Sequence, residues 1–264
     1  MKTNNLFSFK RIILLCKQSM IVNKKLIIIS LFGFSGAVFI TLMLSQAKVN
    51  FISWENYNYM RTLTFLFFSL GVIYSGLSFP AFRSKEKSVT YLLLPASVSE
   101  KFTFEILTRI VVFILIFPIV FWLVANFEGF VVHHYVPRLT IYKFSLGQAF
   151  SEINDKLNSM KCIRFLAIQV ILFVFIIPFT GASHFTKSPL LKTLISFSII
   201  VGSYALLVHL LAKGSNINEN HLKNDTLLFI NYKGDPLILF AIAITVVNLC
   251  MLTLAYFRLK KKDL

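Results

Sequence analysis

The chain has 264 residues, is 56% hydrophobic, and carries a formal net charge of +16 with a mean hydropathy of +0.74. Only 14% of its residues are charged, against roughly a quarter in a soluble domain, which excludes an ordinary water-soluble fold. In a soluble chain this charge would suggest nucleic acid. Here the basic residues flank apolar runs, so topology and anionic lipid account for them, and no nucleic-acid partner is expected.

In chain order, residues 6–20 come first. Phe9, Ile12, Ile13, Leu15 and Cys16 fall mostly at helical spacing against Lys10, Arg11, Lys17 and Gln18, which predicts an amphipathic helix lying in the membrane interface. Six apolar runs follow, at about 26–44, 62–82, 104–125, 163–182, 190–212 and 237–257. Each is long enough to cross a bilayer, which takes roughly 20 helical residues. Lipid cannot satisfy free backbone groups, so each run must be a helix. The expected fold class is all-α: a polytopic membrane protein with six transmembrane helices and an N-terminal interfacial helix, residues 1–264 forming a single transmembrane domain. The first run lies too far in and is too long for a cleaved signal peptide.

The segments between the runs are predicted as follows. Trp54, Tyr57 and Tyr59 suit a headgroup-level aromatic belt. The longest loop is 126–162; its polar stretch from Gly147 to Lys161 has the makings of a surface helix. Its adjacent His133 and His134 cannot face one ligand, and no third ligand stands at metal spacing. No metal is expected. Cys16, Cys162 and Cys250 are far apart and read as unpaired thiols. Ser97-Val98-Ser99-Glu100 is a capping-box pattern opening the third span. Ser188-Pro189 and Asp235-Pro236 are start signals for the fifth and sixth. Pro118 and Pro178 fall inside the third and fourth spans. Gln169 and Asn248 within spans read as interhelical hydrogen-bonding residues. Gly71 and Gly76, or Gly33 and Gly36, would permit close helix contacts.

Positive charge sets the orientation. Six spans place both termini on one side. Sixteen Lys and Arg lie in the tails and loops of that side, and ten on the other. The positive-inside rule then makes both termini cytoplasmic.

Catalytic patterns are missing. There is no GxxxxGK phosphate loop followed by Ser or Thr, no HExxH and no GxSxG. The predicted span cores are almost free of ionisable groups, against ion-coupled transport. The chain is not expected to be an enzyme and should hold no cofactor of its own.

The segment Phe79–Arg109 is the most informative. Arg83-Ser84-Lys85-Glu86-Lys87 is a charged cluster, Val89–Leu94 is a short apolar piece, Pro95-Ala96 breaks it, and the capping box follows. Glu105 and Arg109 stand four apart in the favourable order for an ion pair, suited to fixing this helix. The string from Arg83 through Leu94-Pro95-Ala96-Ser97 to Glu100-Lys101-Phe102 resembles the connector between the second and third spans in membrane subunits of bacterial ATP-binding-cassette (ABC) exporters of the type-2 class. Gly181–Thr193 is similar to their fourth-to-fifth connector. The resemblance implies a permease subunit in the bacterial cytoplasmic (inner) membrane, paired with a separate ABC ATPase that supplies ATP and magnesium chemistry. It also implies a homodimer, or a heterodimer with a second permease. By position, the ATPase-docking candidates are Arg83, Lys85, Glu86, Lys87, Pro95, Ser97, Glu100 and Lys101, reached together with the N-terminal helix. The alternative is a non-transporting membrane anchor, assembly or immunity-type protein.

Overall fold

The computed structural model describes residues 7–47, 53–83, 91, 96–135, 140–151, 161–185, 187–214 and 236–263. Helix α1 (Phe9–Val22) leads almost directly into α2 (Lys24–Ala47). Next come α3 (Asn56–Gly76) and a single 3₁₀ turn, Pro80–Arg83. Helix α4 (Val98–Ile106), a π turn (Leu107–Val111) and α5 (Val112–Tyr135) follow without a break as one rod. The remaining helices are α6 (Lys161–His184), α7 (Pro189–Gly214) and α8 (Pro236–Asp263). Two-residue strands β1 (Ser53–Trp54) and β2 (Thr140–Ile141) pair in parallel.

The chain is therefore an all-α membrane protein. Among the described residues, four helices are long and apolar enough to cross a bilayer: Lys24–Gln46, Val98–His134, Ile163–His184 and Phe240–Lys261. Their outward faces are apolar, as with Phe32 (74% exposed) and Phe130 (74%). Lipid, not water, suits such surfaces. Two of the six predicted runs differ. The second, 62–82, is cut short because α3 ends at Gly76, ahead of Pro80, and its first nine residues include Asn56, Asn58, Arg61, Thr62 and Thr64. The fifth is helical throughout as α7, but is apolar over Pro189–Ser203 among the described residues.

Ring-on-ring packing fills the centre. Phe67 of α3, Phe113 and Phe117 of α5 and Phe175 of α6 hold their centroids 5.1–6.0 Å apart. Phe113, Phe117, Phe121 and Ala125 line one buried stripe of α5 at four-residue steps, and Val132 continues it two turns on. Helices α6 and α8 pack along each other. There Asn248 donates its side-chain amide to both the carbonyl and the side-chain oxygen of Gln169, each at 3.1 Å; the sequence predicts an interhelical bond at each residue, not that the two pair.

Pro118 and Pro178 sit inside α5 and α6. Gly33 and Gly36 face open space, whereas Gly71 and Gly76 are close-approach positions. Trp54 and Tyr59 depart from the predicted belt. Both are buried, at 4% and 1% exposure, with Tyr59 packed on Phe144 at 5.4 Å, and only Tyr57 is exposed. The β1–β2 pairing draws this segment beneath residues 140–149. At the Ser188-Pro189 start signal, Ser188 adopts φ 49° and its carbonyl takes the first bond of α7, accepting from the Lys192 N–H at 3.2 Å, while Asp235 of the remaining signal lies outside the described residues.

Gly71→Ala tests the aromatic centre. The new Cβ would overlap the Phe175 ring and come within 2.9 Å of Phe113. Overpacking of this kind costs about 1–3 kcal/mol, so the variant should unfold at lower temperature in detergent, while Gly33→Ala should not.

Candidate functional site

The site forms where α1 meets the start of α4. Ser97 is extended and caps α4: its hydroxyl accepts from the Glu100 N–H at 3.3 Å, and Glu100 Oε2 accepts from the Ser97 N–H at 2.8 Å. The predicted capping box is thus complete. The other Glu100 oxygen, Oε1, accepts from the Ser8 N–H at 2.7 Å and lies 3.6 Å from Arg11 Nε. Ser8 is the N-cap of α1 and makes no side-chain cap there. One carboxylate, fully buried, therefore caps two helices. The positive ends of both helix dipoles favour its charge, and charge-assisted bonds from backbone N–H groups are the strong kind.

Helix α1 settles on this anchor by one face. Ile12 is buried, while Phe9, Ile13, Leu14, Met20 and Ile21 on its other side are 62–72% exposed. That is the surface an interfacial helix presents to lipid. The predicted helix over residues 6–20 is found at Phe9–Val22.

A second cluster lies five residues further along the rod. Glu105 Oε2 is 3.7 Å from Arg109 Nε, the predicted pair. The same oxygen accepts from the N–H of Phe79 at 3.4 Å. Phe79 adopts φ 53°, in the left-handed region, where a bulky residue is strained. The helical region is disfavoured for it because Pro80 follows. Its ring stacks 5.0 Å from Phe179, and this packing with the Glu105 bond holds the conformation. Arg109 lies over the Tyr74 ring at 5.1 Å, and the Tyr74 hydroxyl donates to the Thr108 carbonyl at 3.4 Å. Thr108 and Arg109 both belong to the π turn, whose widened backbone is a frequent functional feature.

The structure places the other predicted residues as follows. Lys85, Glu86, Lys87 and Pro95 lie outside the described residues. Arg83 closes the 3₁₀ turn, and its side chain lies outside the described part. Lys101 is 2% exposed, with Nζ 5.6 Å from the centre of the Tyr91 ring. Glu100 and Lys101 thus face inward, onto α1 and the connector, rather than outward. His133 and His134 are exposed at the end of α5. Among the described residues no group of His, Cys, Asp and Glu could hold a metal. Cys16 and Cys250 are free thiols.

Glu128 escapes the sequence reading, which ends the third span at Ala125 and assigns Glu128 to the loop 126–162. It is fully buried on α5 and accepts from Gln46 of α2 at 3.1 Å. The signal is the stripe that runs on from Phe121 and Ala125 through position 128 to Val132.

No family model matches the chain, and no curated protein or solved structure is similar to it. The arrangement itself offers no nucleophile–base pair and no metal centre among the described residues. What it offers is mechanical: α1, the α3 exit and the α4–α5 rod are tied by two carboxylates five residues apart on the rod.

Glu100→Gln probes that tie. An amide keeps one acceptor oxygen but turns its NH₂ on one of the two backbone donors. Leaving a buried donor unsatisfied costs about 1–3 kcal/mol. The variant should lose that much stability to denaturant and should become cleavable by protease ahead of α2. Ser97→Ala, losing one cap bond, should cost about 1 kcal/mol and leave α1 protected.

Proposed function

We propose that this chain is the permease subunit of an ABC transporter of the exporter type, coupled to a separate ATPase through α1 and the 83–101 connector. The observation that carries the reading is the double cap at Glu100. It joins the N-terminal helix to the start of a membrane-crossing rod, beside the segment whose sequence resembles the connector of such permeases. A push on α1 or on the connector is thereby delivered to α4 and α5 together.

The chain would cross the bacterial cytoplasmic membrane six times, α3 and α7 adding to the four longer apolar helices. The cytoplasmic side would carry both termini, in line with the distribution of Lys and Arg. Contact with the ATPase would fall to the charged cluster Arg83, Lys85, Glu86 and Lys87. Pro95 remains a candidate by position, and Ser97, Glu100 and Lys101 fix the start of α4 next to it. ATP and magnesium would be bound by the partner, and a second permease would complete the assembly.

Purification from native membranes in mild detergent tests this reading. An ABC ATPase should follow the chain, and the ATPase activity of the complex should respond to Glu86→Lys, falling severalfold in coupling to transport while insertion is unchanged. If the chain purifies with no ATPase, the permease reading is overturned in favour of a non-transporting anchor, assembly or immunity-type protein. If Glu86→Lys leaves transport and ATPase binding as they were, the docking surface lies elsewhere.

A further inference from the structure

Glu100 sits at one end of the α4–α5 rod. Glu128 lies roughly 40 Å away along it, at about 1.5 Å per residue. Their surroundings differ. Gln46 Nε2 donates to Glu128 Oε2, but Glu128 Oε1 and Gln46 Oε1 are buried with no hydrogen-bond partner among the described residues. Tyr59 of α3 stands beside both side chains, and its hydroxyl is likewise buried without a hydrogen bond. Glu128 is 0% exposed, Tyr59 1% and Gln46 6%. Trp54 and Phe144 wall the site against Tyr59, with ring centres 5.9 and 5.4 Å away.

No described Lys or Arg pairs with Glu128. On α5 itself, His133 and His134 are exposed. Glu55, just ahead of α3, Arg61 on it, and Tyr142 and Lys143 beside Phe144 are exposed. Helix α2 contributes Lys24 and Lys25, at its opposite end. Tyr59 is the titratable group facing Glu128 among the described residues. A buried carboxylate in this setting would keep an uncompensated charge, the costliest state a membrane interior can hold.

We propose that Gln46, Tyr59 and Glu128 form a proton-binding site that joins α2, α3 and α5. One proton on Glu128 Oε1 satisfies every unpartnered atom of the three side chains. In the closed ring that hydroxyl would donate to the Tyr59 oxygen and the Tyr59 hydroxyl to Gln46 Oε1, while Gln46 Nε2 already donates to Glu128 Oε2. The three bonds close a ring across three helices. Without the proton, Tyr59 can serve only one of the two orphaned acceptors, and the charge remains. The inference does not depend on the permease reading.

The stability that the closed ring supplies is lost when that proton leaves on alkalinisation. The test uses the full chain in detergent with sodium, potassium or choline as the only added cation. The wild-type unfolding midpoint should fall on alkalinisation more than that of Glu128→Gln, which carries an uncharged side chain at every pH. Isotope-edited infrared spectra of the wild type should show a protonated carboxyl band at neutral pH that disappears at alkaline pH and shifts in Tyr59→Phe. This second measurement holds even where Glu128→Gln fails to fold. Parallel pH profiles for wild type and Glu128→Gln, or no such band, would overturn the proposal. So would a midpoint raised by sodium or potassium but not by choline, which would make this a cation site.

Discussion

Glu100 accepts backbone hydrogen bonds at 2.8 Å from Ser97 and 2.7 Å from Ser8, so its one charge lies at the positive ends of two helix dipoles, those of α4 and α1. Removing a carboxylate from water is expensive unless its lone pairs are met. Here two N–H groups and the Arg11 guanidinium meet them. The geometry has little slack, because each oxygen already has its own donor. Where α1 lies, where α4 begins and where the connector re-enters the bundle all follow from that arrangement.

Local rules recovered much of this. The Ser97–Glu100 capping box, the Glu105–Arg109 pair and the Asn248–Gln169 bond each depend on residues whose spacing or type states the interaction. What the spacing of Ser97 and Glu100 cannot state is that the second carboxylate oxygen is used by Ser8, 92 residues away in sequence. The long-range partner is a product of packing. The same holds at Phe79, whose N–H reaches Glu105 across 26 residues. A proline at position 80 predicts the end of α3, but not the left-handed backbone that turns Phe79 inward.

The misplaced features share a cause. Reading a span as a run of hydrophobic residues ends the third at Ala125, because Asn126 and Glu128 interrupt the run. The helix continues because periodicity, not mean hydropathy, decides which face is buried. Position 128 is on the buried face, and Phe127 and Phe130 are on the lipid-facing one. Trp54 and Tyr59 follow from the same correction. Aromatic residues near a span end suit the headgroup layer in general, but here a buried stripe extends far enough along α5 to recruit them, with Phe144, as its cover. The π turn has no comparable signal in the sequence, since Leu107–Val111 would fit an α-helix equally well.

The α4–α5 rod thus carries a buried carboxylate near each end, and its middle is held by Phe113, Phe117 and Phe121. Interdigitated rings resist gradual deformation, because packed cores move between discrete arrangements rather than bending smoothly. The π turn, with Arg109 drawn over Tyr74 and Thr108 accepting from that ring's hydroxyl, lies between the Glu100 end and these rings. A displacement imposed on α1 therefore has two outlets. It can be absorbed where the backbone hydrogen-bond pattern is already irregular, or it can move the rod as a body. The capping bonds at Glu100 and the Glu105 bond to Phe79 bracket the N-terminal side of the π turn, which stiffens that short segment and favours movement of the whole rod. Motion at the Glu100 end would then be felt at Glu128, where Gln46 and Tyr59 bring α2 and α3 against the same helix.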